Sequence, residues 1–208
     1  MALYRPRIVC LFLIKLTAVF FLSFNLLCCN LITNKIETLP FYNSKDLTPS
    51  WDSNKPHYIA KFNLVDQRGK EYNSDSLNGK MYIANFFFTT CPSICPKMTK
   101  NLNILQDSIA NLQNVAIVSF SVMPWIDTVN KLKVYGAENH VNPVRWHLLT
   151  GNKSTIYALG NASFFADKNP LNDTSTFIHT DKMYLIDTHQ QIRGAYNATN
   201  IDDIGRVL

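Results

Sequence analysis

The pattern of apolar and polar positions divides the chain into three parts. Apolar residues dominate the first 27 positions, whereas the stretch 30–56 is polar and contains three prolines, which interrupt regular structure. From His57 onward, short apolar runs alternate with segments of helical periodicity. We therefore predict a leader over residues 1–29, a flexible tether over 30–56 and one folded domain over 57–208.

Within the domain, the apolar pattern predicts alternating strands and helices. The run 81–88 is short and aromatic-rich, as in a buried strand. Residues 94–111 carry apolar side chains every three or four positions, which predicts an amphipathic helix. Further strands are predicted over 59–64, 115–122, 146–151, 183–187 and 191–196, and further helices over 127–138, 153–159 and from 201.

Two cysteines, Cys91 and Cys95, stand where the strand 81–88 meets the following helix. Three intervening residues place the sulfurs about one helical turn apart on one face, where they suit a shared soft metal ion or a disulfide. A helix that begins beside the thiols lowers their pKa values. A cysteine pair after the first central strand of this element order predicts an α/β, thioredoxin-like fold. We expect a central mixed β-sheet flanked by helices and preceded by an N-terminal signal or anchor segment.

The leader indicates where the domain is located, and this limits the roles that its cysteines can have. It has a basic start and an apolar core that ends in Cys28-Cys29, and it resembles a bacterial lipoprotein signal with Cys29 (or Cys28) lipidated. An uncleaved membrane anchor and simple secretion are the alternatives. Each of the three places the domain outside the cytoplasm, where disulfides persist. With Cys10 also in the leader, the domain keeps one cysteine pair, which indicates a site rather than a disulfide scaffold.

Charge and motifs exclude several functions. The formal net charge is +5, and removing the leader residues Arg5, Arg7 and Lys15 leaves +2. No dense Lys/Arg run occurs elsewhere, so we expect no nucleic-acid binding. The sequence also lacks a Ser/His/Asp triad motif, a phosphate-binding glycine loop and a His-Glu-x-x-His motif, which argues against a hydrolase, a kinase and a zinc protease.

From the residues alone, four roles for Cys91 and Cys95 stay open. They are a structural disulfide, a thiol-disulfide oxidoreductase centre, a copper site and a zinc site. Oxidoreductase centres typically have two residues between their cysteines, whereas this pair has three. Nothing in composition or spacing singles out a third ligand, and Met98 is predicted to lie in the core.

Three segments carry a family resemblance. Residues 88–96 (FTTCPSICP), 120–128 (FSVMPWIDT) and 177–187 (FIHTDKMYLID) resemble the SCO/SenC family, and the likeness runs from about residue 57 to the C-terminus. That family consists of membrane-anchored, thioredoxin-fold copper chaperones for cytochrome c oxidase assembly. The resemblance implies that copper, as Cu(I) or Cu(II), is held by Cys91, Cys95 and His179. It also implies, as a partner, a copper-accepting subunit of cytochrome c oxidase.

One position departs from the family pattern. Met123 stands where the family usually has the Asp of Ser-Val-Asp-Pro, a residue associated with partner contact and tuning of the copper site. A methionine there leaves the implied ligand set intact and offers a soft thioether near the metal.

These inferences lead to one functional prediction with two rivals. We predict a membrane-anchored, extracytoplasmic metallochaperone, on the periplasmic side, that delivers copper to a respiratory cytochrome c oxidase or matures its copper centre. It is expected to be monomeric and to reach the membrane through its N-terminal anchor. The rivals are a thiol-disulfide oxidoreductase that acts on partner cysteines, which would give the protein an enzymatic activity, and a redox or copper sensor.

Overall fold

The computed structural model of the protein describes residues 38–52, 54–166 and 178–208. The predicted leader and the first part of the predicted tether lie outside these residues. Within them, seven strands form one sheet in the order β2-β1-β5-β4-β3-β6-β7. The strands are β1 (Asn63–Asp66), β2 (Glu71–Asn73), β3 (Met81–Phe87), β4 (Val115–Ser121), β5 (Trp146–Thr150), β6 (Lys182–Ile186) and β7 (Ile192–Asn197).

The centre of the sheet is parallel, and its two sides are antiparallel. β3 pairs with β4 and β4 pairs with β5 in parallel, whereas β1, β2, β6 and β7 pair antiparallel to their neighbours. β3 and β4 are almost wholly buried, as expected for strands covered on both faces. The predicted α/β fold with a central mixed sheet is confirmed.

Four α-helices accompany the sheet in the described part of the chain. They are α1 (Ile94–Ser108), α2 (Val129–Glu138), α3 (Lys153–Ala158), which continues into a π-helical turn (Leu159–Ser163), and α4 (Ile201–Val207). The side chain of Thr128 caps α2 and that of Asn152 caps α3, whereas Ser93 provides no side-chain cap for α1. None of the described helices has the length and apolar character needed to cross a bilayer.

Each face of the sheet has its own hydrophobic core. Along β3, Tyr82 and Phe86 face one cluster, whereas Ile83 and Phe87 face the other. The first cluster, here called the aromatic cluster, includes Phe86, Phe120 and Phe164. The second, the helix-side cluster, contains buried side chains of α1, α2 and α4 together with both domain cysteines. The cysteines therefore belong to the layer between the sheet and α1.

Part of the predicted flexible tether is packed on the domain. The backbone of Phe41 bridges to Ser50, and the Tyr42 N–H donates to the Ile192 carbonyl of β7 at 3.1 Å. The guanidinium of Arg193 lies 4.1 Å from the Phe41 ring centre. β7 is an edge strand with unpaired backbone groups, and a polar extended segment can satisfy them. The available edge of β7 explains why the segment around Phe41 packs on the domain instead of acting as a flexible linker.

Candidate metal centre

Cys91 and Cys95 lie where β3 ends and α1 begins. A turn follows β3, in which the Cys91 N–H donates to the Phe88 carbonyl at 3.3 Å, and Cys95 lies in the first turn of α1. The two residues are only 7% and 4% exposed, and both are unpaired thiols. Two reduced sulfurs therefore occupy the carboxyl end of a central parallel strand, where α/β folds place their chemistry.

Backbone amides at the start of α1 surround the sulfur of Cys91. Burial acts to raise the pKa of this thiol, but hydrogen bonds from the backbone N–H groups of Cys95, Ser93 and Ile94 and from the Cys95 thiol hold the pKa of Cys91 below its ordinary value. Since α1 lacks a side-chain cap, its first amides have no capping oxygen. The sulfur of Cys91 takes that place and is the more acidic thiol of the pair.

The pKa of Cys95 moves in the opposite direction, so the prediction that the helix lowers the pKa values of both thiols is wrong for Cys95. Burial raises the pKa of its thiol to about 12, and a backbone hydrogen bond at Phe88 opposes the rise. The hydrogen bond to Cys91 and the negative charges of Cys91 and Asp127 raise the pKa further. At neutral pH the pair therefore keeps a proton on Cys95, which hydrogen-bonds to the more acidic Cys91.

His179 lies at the same end of the sheet as the cysteines. β6 is antiparallel to β3 with Asn85 opposite Met183, so the residues that lead into β6 approach the end of β3. His179 is exposed between the buried residues Ile178 and Thr180. Within residues 38–52, 54–166 and 178–208, however, no three His, Cys, Asp or Glu side chains are close enough to hold a metal ion together. The structure brings the two sulfurs together and leaves the imidazole outside a three-ligand cluster.

A buried carboxylate that the sequence did not assign to the site lies beneath the cysteine turn. Asp127 is fully buried and accepts hydrogen bonds from the N–H of Thr89 (3.2 Å), the hydroxyl of Thr89 (2.5 Å) and the hydroxyl of Ser121 (2.6 Å). The side-chain cap of α2 is Thr128 rather than Asp127, so the carboxylate of Asp127 is not used as a helix cap. The only sequence signal for another role was a carboxylate within the mostly apolar turn 122–127.

Met123 and Trp125 belong to the turn that follows β4, at the carboxyl end of the sheet. Met123 is half-buried and packs against the aromatic cluster rather than the cluster that holds the cysteines. The ring of Trp125 is 53% exposed, and the Lys153 ammonium lies 4.9 Å from its centre. This turn therefore presents an aromatic and a cationic group to solvent, while the methionine faces inward. Met98, by contrast, is a core residue, as predicted.

A mixed sheet with a buried dithiol at the carboxyl end of one of its parallel inner strands defines the chain as a thioredoxin-like dithiol protein. The SCO1/SenC family model matches residues 51–205, which is more than half of the chain. The SCO1 protein homolog of Bacillus subtilis is 33% identical over 151 residues, covering 70% of this chain and 78% of the relative. The chain belongs to the SCO1/SenC family, as its motifs indicated.

Solved structures support the same assignment. A SCO1/SenC family lipoprotein from Bacillus anthracis aligns with a TM-score of 0.61 and 30% identity, covering 74% of this chain and 97% of that one. BsSco, a member of the Sco family of cytochrome c oxidase assembly proteins with a disulfide switch, aligns with a TM-score of 0.60 and 32% identity, covering 73% and 93%. ScoI of Arabidopsis thaliana with copper bound aligns with a TM-score of 0.57 and 27% identity, covering 72% and 94%. These alignments confirm the predicted thioredoxin-like fold.

Proposed function

We propose that the protein binds copper through Cys91, Cys95 and His179 and delivers it to a respiratory cytochrome c oxidase or matures the copper centre of that enzyme. The observation that carries the proposal is the buried cysteine pair in which Cys91 is the more acidic thiol. Cu(I) prefers thiolates, and two thiolates with one imidazole suit both Cu(I) and Cu(II). The copper-bound ScoI of Arabidopsis thaliana supports copper as the cargo, and BsSco supports an oxidase assembly role.

Each proposed ligand contributes in a different way. The amides of α1 hold the sulfur of Cys91 in place and favour its thiolate, so this residue can bind the metal first. Cys95 keeps its proton at neutral pH and must release it when copper binds, which couples binding to pH. His179 would add the imidazole from the residues that lead into β6.

Oxidation of the pair would oppose copper binding. Formation of a disulfide between Cys91 and Cys95 creates one S–S bond and removes two electrons and two protons from the two thiols. Neither sulfur is then a thiolate, so the affinity for copper should fall. The disulfide switch identified in BsSco supports such a link between redox state and metal occupancy.

We also propose that the domain is held at the outer face of a membrane by its leader, with a lipid on Cys29. The Bacillus anthracis neighbour is a lipoprotein, which supports this form of attachment. Intact-mass analysis of the membrane-extracted protein tests it. A mature N-terminus at Cys29 that carries acyl chains is the expected result, whereas a chain that keeps Met1 would indicate a transmembrane anchor.

Copper titration of the purified full chain, in reduced and in oxidised form, tests the main proposal. We expect one copper per reduced chain, much weaker binding by the oxidised chain, and transfer from the loaded protein to the copper-accepting domain of an oxidase subunit. A reduced chain that binds no copper but readily reduces a disulfide in that oxidase domain would favour the oxidoreductase alternative. Equal copper affinity in both forms would disprove the redox link.

A further inference from the structure

We propose that Asp127 is a positioning residue of the cysteine site and acts through Thr89, two residues before Cys91. The inference deepens the proposed function, and it rests on that function only for its copper measurement. The buried carboxylate of Asp127 accepts both polar hydrogens of Thr89, that of the backbone N–H at 3.2 Å and that of the hydroxyl at 2.5 Å. One side chain therefore fixes the start of the turn that carries Cys91.

The same carboxylate joins three segments at this end of the sheet. It accepts a hydrogen bond from the Ser121 hydroxyl at 2.6 Å, at the last residue of β4. The Asp127 N–H donates to the Met123 carbonyl at 2.8 Å, and the Met123 N–H donates to the Ser121 hydroxyl oxygen at 3.2 Å. Asp127 thus connects the end of β3, the end of β4 and the turn between β4 and α2.

The carboxylate of Asp127 is buried without a cationic partner. The residue is fully buried, and among the described residues it forms no ion pair with a lysine, arginine or histidine. Burial of a charge without a counter-ion is costly, and here hydrogen bonds from Thr89 and Ser121 offset part of that cost. A cost of this kind beside a reactive pair points to a role in the site beyond stability.

Fixing Thr89 controls how the two sulfurs meet. Cys95 is held by the first turn of α1, whereas Cys91 lies in the turn between β3 and that helix. The distance between the sulfurs therefore depends on where this turn lies. If the turn is loosened, the effective concentration of one thiol at the other falls, as for any pair of linked groups. Both disulfide closure and shared metal binding should then become less favourable.

The experiment compares Asp127→Asn with Asp66→Asn in the full chain. Asp66 is an equally buried aspartate that accepts the N–H groups of Arg68 (2.8 Å) and Lys70 (3.0 Å) in the β1–β2 turn, and strands β5 and β4 separate its strand from β3 and the cysteine turn. We expect Asp127→Asn to shift the disulfide equilibrium about tenfold towards the dithiol, which makes the potential about 30 mV less negative. Copper affinity should fall about tenfold. Asp66→Asn should lower thermal stability but should change neither the dithiol–disulfide potential nor the copper affinity.

A double-mutant cycle tests whether Asp127 acts through Thr89. Thr89→Val removes the hydroxyl hydrogen bond to Asp127 and should give a smaller shift in potential than Asp127→Asn. Thr89→Ser keeps a hydroxyl and should have the wild-type potential. The double variant Thr89→Val/Asp127→Asn should shift the potential by less than the sum of the single effects. Additive effects, or a shift in Asp127→Asn no larger than that in Asp66→Asn, would overturn the inference.

The two proposals can fail separately, because the dithiol–disulfide potential is measured without copper. If the wild-type chain binds no copper and Asp127→Asn still shifts the potential, the copper function is wrong and the role of Asp127 holds. If the wild-type chain binds copper and Asp127→Asn changes neither affinity nor potential, Asp127 has only a structural role and the copper function is unaffected.

Discussion

The thiol of Cys95 hydrogen-bonds to the sulfur of Cys91, and the pKa values of the two thiols are displaced in opposite directions. Burial raises the pKa of Cys95 to about 12, whereas the amides at the start of α1 outweigh the effect of burial at Cys91 and lower its pKa. The two residues are almost equally buried. The asymmetry has two causes, since burial dominates at Cys95 whereas hydrogen bonds that stabilise the thiolate prevail at Cys91.

This asymmetry predicts selective alkylation. In the reduced protein at pH 8, iodoacetamide should modify Cys91 at least about tenfold faster than Cys95, because the thiolate is the nucleophile. Since Cys95 keeps its proton until the pH approaches 12, the selectivity should persist across the neutral and mildly alkaline range. Peptide mass spectrometry over time measures both rates, and denatured protein, in which the rates should converge, is the control. Faster modification of Cys95 would contradict the assignment of Cys91 as the more acidic thiol.

A second prediction concerns the three proposed copper ligands. Cys91→Ser, Cys95→Ser and His179→Ala should each weaken copper binding at least about tenfold, because each leaves an incomplete soft site. His179 is exposed, so its removal should leave the melting temperature almost unchanged. His189→Ala is the matched control, since His189 is also exposed but lies in the β6–β7 turn at the other end of the sheet. Wild-type affinity in His179→Ala would remove that residue from the site.

The sequence was sufficient to predict the strand and the helix that position the cysteine pair. The buried strand and the amphipathic helix were each predicted within a few residues of β3 and α1, because a continuous apolar run and a helical period are local signals. The spacing of Cys91 and Cys95 then placed both thiols on the strand–helix junction. The displacement of their pKa values in opposite directions depends on which amides are free at the start of α1, and no local pattern encodes that.

The features that sequence analysis did not predict depend on tertiary contacts. Asp127 and the adjacent Thr128 are both acceptable helix caps, and only the packing of β3 beside β4 turns the carboxylate towards Thr89. The segment near Phe41 has a linker-like composition, yet it packs beside Arg193 on the sheet edge. A polar sequence does not reveal that an unpaired strand edge is available to it.

A third prediction concerns the pH dependence of stability through His147, in β5. Its side chain is 12% exposed, its ring centre lies 4.4 Å from that of Tyr72, and its Nδ1 atom has no hydrogen-bond partner among the described residues. Burial lowers the pKa of His147 to about 4; the charges of Arg68 and Lys80 act in the same direction, and that of Asp66 opposes them. The imidazole is therefore neutral in the folded protein at neutral pH.

Because the ordinary pKa is 6.5, the unfolded chain binds this proton more readily than the folded one. The stability contributed by neutral His147 should be complete above about pH 6.5 and should be lost as the pH falls towards 4, by on the order of 2–3 kcal/mol. His147→Gln should flatten this part of the profile, whereas His189→Gln, at an exposed histidine, should not. Denaturant unfolding at several pH values measures the effect, and an unchanged slope in His147→Gln would contradict it.

The fourth prediction concerns Met123, where the family usually has an aspartate. Its backbone belongs to the network of Asp127, and its side chain packs against the aromatic cluster, away from the layer that holds the cysteines. Two residues further on, Trp125 is exposed beside Lys153, so the same turn offers a surface that a partner can contact. A negative charge at residue 123 should therefore act on partner contact more than on the metal.

We expect Met123→Asp to alter copper transfer to the oxidase domain, or affinity for it, by a larger factor than it alters copper affinity. Since Met123 is half-buried, the substitution also removes apolar contacts, and Met123→Leu controls for this loss without adding charge. Copper titration and the transfer assay are compared for both variants. A change in copper affinity alone would identify Met123 as a thioether near the metal, because a docking residue would leave that affinity intact. If neither property changes, Met123 only shapes the turn, and recognition of the partner does not depend on the charge at this position.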